Sequence, residues 1–248
     1  MIQKFDLLLR KCIPFFDFFL CEHSYIRVKG EILQVFSLEK RACGHYYEIN
    51  FGLVPLCYGI DDFRLTPYSL SCFDPIRWGM GVECGHGKAA QVNCLNEMIY
   101  LLKSNLFPIF DVCQSCHDTL LNLISIEQRI DSNRLKYLSL NGLVNKHKGE
   151  PINYCDNIKY ILAICSHDVN FALRCADSML NNIALARKSN AHIMTEVMSE
   201  SYEFREQQLR TDILHLQRED FGYFDAYLSS NKNESQKYLS AVLSKKNM

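Results

Sequence analysis

The run Tyr25-Ile-Arg-Val-Lys-Gly-Glu-Ile-Leu-Gln-Val-Phe-Ser-Leu-Glu-Lys-Arg-Ala-Cys-Gly-His-Tyr-Tyr-Glu-Ile-Asn-Phe-Gly-Leu53 decides the fold class. It reads as consecutive strands broken by turns at Gly30 and Gly44. Within it Ile32, Gln34, Phe36 and Leu38 alternate with Leu33, Val35 and Ser37. Both sets are largely apolar, the mark of a central strand covered on one side by helices. In the next strand Tyr47, Ile49, Phe51 and Leu53 share one face, while Tyr46, Glu48, Asn50 and Gly52 make a wetter one. Arg41-Ala-Cys-Gly44 suits a hairpin with glycine in a left-handed conformation. Pro55 should end the strand or leave it at an edge.

Upstream, about Gln3 to Leu20 reads as a core helix broken near Pro14, with Phe5, Leu8, Leu9 and Cys12 on one face. Downstream, Tyr58–Pro75 reads as a long connection and Asp74–Val82 as a further strand carrying the single tryptophan, Trp78. Lys88–Lys103 has Val92, Leu95, Met98, Ile99 and Leu102 at helical spacing. Asp111 is expected to cap a helix running to about Arg129, and Asn141–Pro151 to be a linker. Beyond it the period is helical. Asn157–Ser166 and Val169–Arg187 form a hairpin turned near His167-Asp168. His192–Arg218 follows as one long helix with a narrow stripe of Ile193, Val197, Phe204, Leu209, Ile213 and Leu216. Asp220–Leu228 and Glu234–Leu243 read as two short terminal helices. The expectation is an α+β protein. An antiparallel sheet of about four strands packs with helices in residues 1–131, and an all-helical region follows in 132–248.

Composition narrows the function. The formal net charge is -1, so no overall field draws in nucleic acid or an anionic membrane, and neither is expected as a partner. Asp6, Arg10, Lys11 and Asp17 interrupt the apolar N-terminal stretch, which therefore does not read as a signal peptide. The twelve cysteines then read as reduced thiols of a cytoplasmic protein, several of them small core hydrophobes.

Cys113-Gln-Ser-Cys116-His117 is the sharpest local pattern. Its spacing matches covalent haem attachment, but that chemistry needs an export route. A redox pair is a second reading, although no βαβ pattern surrounds the motif. A zinc site is the third. Cys84 and His86 would supply two ligands to the Cys113 and Cys116 pair, and Cys43 and His45 would serve equally. Cys84 beside His86 also suggests a nucleophile and base, yet no third orienting group is evident. The glycines at 79, 81, 85 and 87 precede a helix that could receive an anion, without the ending of a phosphate-binding loop.

The order of pieces carries a resemblance. Tyr25-Ile-Arg27, Leu33-Gln-Val-Phe-Ser-Leu38, Tyr46-Tyr-Glu-Ile-Asn-Phe-Gly-Leu53 and, after a helix, Leu106-Phe-Pro-Ile-Phe110 resemble a bacterial family known only as a domain of unknown function. The resemblance covers roughly residues 1 to 130 and implies an intracellular α+β domain with no catalytic residue to transfer.

The leading expectation is a non-enzymatic interaction module of immunity or regulatory type. It would meet another protein, or a second copy of itself, through the C-terminal helices, with no cofactor. The alternative is a zinc- or thiol-dependent protein using the Cys84/His86 and Cys113/Cys116/His117 clusters.

Overall fold

A computed structural model describes residues 17–21, 24–40, 46–60, 81–85, 87–122, 156–189 and 191–244. Its centre is a five-stranded antiparallel meander whose strands pair in chain order: β1 (Phe19–Cys21), β2 (Ser24–Lys29), β3 (Ile32–Lys40), β4 (Tyr46–Pro55) and β5 (Gly81–Glu83). The expected class, α+β with a mostly helical C-terminal part, is what the chain adopts. One strand is added to the expected sheet. Phe19 and Leu20, read as the end of a core helix, pair instead with Ile26 and Tyr25. The rest of that expected helix, residues 3–16, lies outside the described residues, as do the turn at 41–45, Trp78 and the linker around 141–151.

The β2–β3 turn is two residues, Gly30-Glu31, between the paired Lys29 and Ile32. Gly30 has φ +56°, and a Cβ there would lie 2.3 Å from the carbonyl oxygen of Gln114. Only glycine meets both demands. The close approach lets Glu31 N–H donate to Gln114 O at 2.9 Å, and Leu56 N–H donates to Glu31 O at 2.9 Å. The turn thereby gathers two loops at one end of the sheet.

Alternation builds the core. Tyr25, Phe36 and Phe51 lie side by side across three strands. Phe36 stacks on Tyr25 with centroids 4.9 Å apart and meets Phe18 edge-on at 5.1 Å. Leu33 and Val35, pointing the other way, are equally inaccessible, so β3 is covered on both faces. On the Phe36 face one polar ladder is buried. Arg27 and Gln34 pair across β2 and β3, and Arg27 Nε donates to Gln34 Oε1 at 2.8 Å. Gln34 Nε2 donates to the carbonyls of Phe110 and Cys113. Arg27 also lies over the Phe18 ring and pairs with Asp111 at 3.2 Å.

Those carbonyls belong to the helical layer. Helix α1 (Lys88–Leu101) widens into a π turn (Leu102–Leu106) and continues as α2 (Phe107–Val112). Pro108 has no amide proton to close an α turn onto Ser104, so the widening falls where the ladder is already broken. Leu95, Met98 and Leu102 are buried as expected, but Val92 is exposed. Asp111 does not cap the next helix. It sits inside α2, and Ser115 Oγ caps the following helix, α3 (residues 116–122), by accepting from Asp118 N–H at 3.1 Å.

The C-terminal helices are α4 (Asp156–Cys165), α5 (Val169–Ser189), α6 (Glu196–Gln217) and α7 (Gly222–Ser244). The hairpin of α4 and α5 turns at His167-Asp168 as expected, with Asp168 Oδ1 accepting from Phe171 N–H. Thr195 caps α6. The two expected terminal helices are one, α7, because Leu228, Ser235 and Leu239 continue a single buried face. One buried cluster runs from Phe36 through Phe110 to Ile164, Leu216 and Leu239. The boundary expected at 131/132 lies outside the described residues. Among the described residues no helix is long and apolar enough to cross a membrane.

Candidate metal centre

Three thiols from distant parts of the chain meet where the Gly30 turn gathers its loops. Cys57 lies in the 3-10 turn Leu56–Tyr58 that follows β4. Cys116 opens α3, and Cys165 is the last residue of α4. Their sulfur atoms all lie within 4.8 Å of one another, and Cys57 Sγ is 3.3 Å from Cys165 Sγ. Cys57 and Cys116 are buried and Cys165 half-buried.

Helix α7 fixes the first ligand. Its buried Ser235 accepts from Ile60 N–H at 2.8 Å and donates to Leu56 O at 2.7 Å, while Asn231 Nδ2 donates to Cys57 O at 3.1 Å. Both peptide ends of the 3-10 turn are thus held by side chains of one helix. Lys232, on the same helix, donates to Glu31 Oε1 at 2.7 Å. That bond holds the Glu31 carboxyl below its ordinary range and the Lys232 ammonium above its own. The Cys116 backbone N–H also donates to Glu31.

The thiols tune one another. Cys57 is pulled down by side-chain hydrogen bonding with Cys116 and Cys165, whose sulfurs crowd its own. Cys116 moves the other way, held protonated by its bonds to Cys165 and Cys57. The Lys232 ammonium lies close enough to Cys57 and Cys116 to favour a thiolate there. A cavity of about 210 Å³ opens onto the three sulfurs, lined also by Glu31, His167 and Lys232.

The donor set fits a soft d10 cation. Zn–S bonds of about 2.3 Å place tetrahedral sulfurs about 3.8 Å apart. The trio already spans that size, and the Cys57–Cys165 pair needs to open by about 0.5 Å when its shared proton leaves.

Of the residues singled out in the sequence, Cys116 joins this group. Cys84, buried after β5, interacts with Cys94 of α1, whose thiol burial and that contact push up to about 12. Cys113 is buried at the end of α2, and burial pushes its thiol to about 12 as well. His117 is exposed on α3. Among the described residues Cys84, Cys113 and Cys116 do not share a metal-sized group. His86, Cys43 and His45 lie outside the described residues. Cys57 and Cys165 carried no sequence signal beyond being cysteines in apolar surroundings. No protein-family model, curated protein or solved structure matches the chain.

Proposed function

We propose that this chain is a zinc-binding protein whose metal is held by the thiolates of Cys57, Cys116 and Cys165. The observation that carries the reading is the convergence of three sulfurs within 4.8 Å from a 3-10 turn and two helix ends. Thiolates select zinc over hard cations, and binding displaces the thiol protons, so occupancy rises with pH. Three protein ligands leave one coordination position for water or a small molecule from the adjoining cavity. The metal would tie the sheet end to α3 and α4.

The test is metal analysis of the full chain purified under reducing conditions, followed by zinc competition against a chromophoric chelator. One zinc per chain is expected. Cys116→Ser should weaken binding by at least about tenfold with helix content retained, since one of three protein ligands is lost. Cys84→Ser should leave binding unchanged. Folded protein that takes up no zinc overturns the reading, and loss of zinc in Cys84→Ser moves the site to the other thiols.

A second reading, docking of another protein or a second copy through α6, rests on a separate observation. The stripe of this helix is only half used. Leu209 and Leu216 are buried, whereas Val197 and Phe204 are 74% and 71% exposed. An apolar pair at i, i+7 outside the core that the described residues form is a groove-binding pattern. Light scattering after size exclusion should find a mass above the monomer that Val197→Glu/Phe204→Glu returns to the monomer. A monomer at every concentration counts against self-association.

A further inference from the structure

A second cavity, of about 510 Å³, lies between α4, α6 and α7. This is the size of a small-molecule site. Its floor holds a carboxylate, Asp212 of α6, which is 5% exposed. Tyr160 Oη donates to Asp212 Oδ2 at 2.9 Å, and Tyr160 is itself 2% exposed. Tyr223 is a second hydrogen-bond partner of the same carboxylate. Two phenols satisfy part of its acceptor capacity and none of its charge. Burial pushes the Asp212 carboxyl above its ordinary range, so a cation placed against it would be stabilising.

Arg205 lines the same cavity two turns earlier on the same face of α6. Its guanidinium donates to Asn157 Oδ1 at 2.9 Å and Gln208 Oε1 at 3.0 Å. Both partners are neutral amides, and further N–H donors remain for a ligand. Among the described residues neither Arg205 nor Asp212 has an ion-pair partner. The cavity therefore presents a guanidinium and a desolvated carboxylate that, among the described residues, form no ion pair at contact distance, although Arg205 and His215 both act on Asp212 through space. Phe224 and Tyr223 add ring surface, and Tyr227, 52% exposed, stands at the rim.

We propose that this cavity binds a small zwitterion of the amino-acid class, with its ammonium on Asp212 and its carboxylate on Arg205. An aromatic side chain suits the ring-lined wall. This site is separate from the three-thiol centre and does not depend on zinc.

Calorimetric titration of the full chain with L-phenylalanine tests the assignment, beside 2-phenylethylamine, which lacks the carboxylate, and 3-phenylpropionate, which lacks the amine. Saturable binding of L-phenylalanine is expected, with each single-charge analogue weaker by at least about tenfold. Arg205→Met and Asp212→Asn should each weaken L-phenylalanine binding by a similar factor. Should Asp212→Asn fail to fold, Arg205→Met decides alone, since Arg205 is only half-buried. The proposal is overturned if none of the common L-amino acids binds, if 2-phenylethylamine binds as tightly as L-phenylalanine, or if Arg205→Met binds unchanged.

Discussion

Phe36→Ala should lower the stability of this protein by about 3–5 kcal/mol, the range for emptying a fully buried aromatic site. Phe36 is completely inaccessible at the middle of β3. It stacks on Tyr25, meets Phe18 edge-on, and has Phe107 of α2 at 6.1 Å. Each well-oriented ring pair adds about 0.5–1.5 kcal/mol beyond area burial, so the loss belongs at the upper end. The neighbours that would have to close the void are held from two directions. Tyr25 and Phe51 are registered to Phe36 by strand pairing, and Phe107 and Phe110 are carried by a helix whose carbonyls Gln34 grips. Urea unfolding followed by circular dichroism measures it: the midpoint should fall with an unchanged slope. Phe36→Leu, which keeps most of the volume, should cost under about 2 kcal/mol. A loss below about 1 kcal/mol for the alanine variant would mean that the aromatic cluster is not the centre of the fold.

How much of this was legible depends on the range of the signal. The period-two patterns at Ile32–Leu38 and Tyr47–Leu53, with Gly30 between strands, are local, and they placed β3, β4 and the turn. Phe18-Phe-Leu-Cys21 is a short apolar run with no period to separate strand from helix, and pairing with β2 settled it as strand. Asp111 and Ser115 both carry capping chemistry. Asp111 lies within α2, where it pairs with Arg27, 84 residues away, and Ser115 takes the capping position instead. Ser235 carries no signal of burial in the local sequence, yet it sits on the buried face of α7, where its hydroxyl serves two backbone groups flanking Cys57. The same limit hid the thiol centre. Cys57 and Cys165 are 108 positions apart, and no spacing rule joins them. The local pair Cys113 and Cys116 looked like a unit, but they flank a helix start and their thiols part company. Cys113 turns into the core, and Cys116 turns to the Gly30 end of the sheet.

Gln34→Leu is expected to cost about as much as Phe36→Ala, for the opposite reason. Leucine fits the volume and would favour an apolar face, so a purely hydrophobic account predicts a gain. The polar ladder reverses the sign. Gln34 accepts from Arg27 Nε and donates to the carbonyls of Phe110 and Cys113, and it is fully buried. Leucine leaves three polar groups without this partner where water does not reach, each costing about 1–3 kcal/mol. Arg27 loses a buried acceptor, and its ion pair to Asp111, which is 66% exposed, is screened. A net loss of about 3–5 kcal/mol follows after the transfer gain of the leucine side chain is subtracted. The double variant Arg27→Met/Gln34→Leu should recover at least about 1 kcal/mol over Gln34→Leu alone, because the buried guanidinium that lost the Gln34 acceptor is gone. Chemical denaturation of the two single variants and the double one measures that coupling. A Gln34→Leu protein as stable as the parent, or a double variant with purely additive losses, would show that the ladder contributes nothing the apolar packing does not already supply.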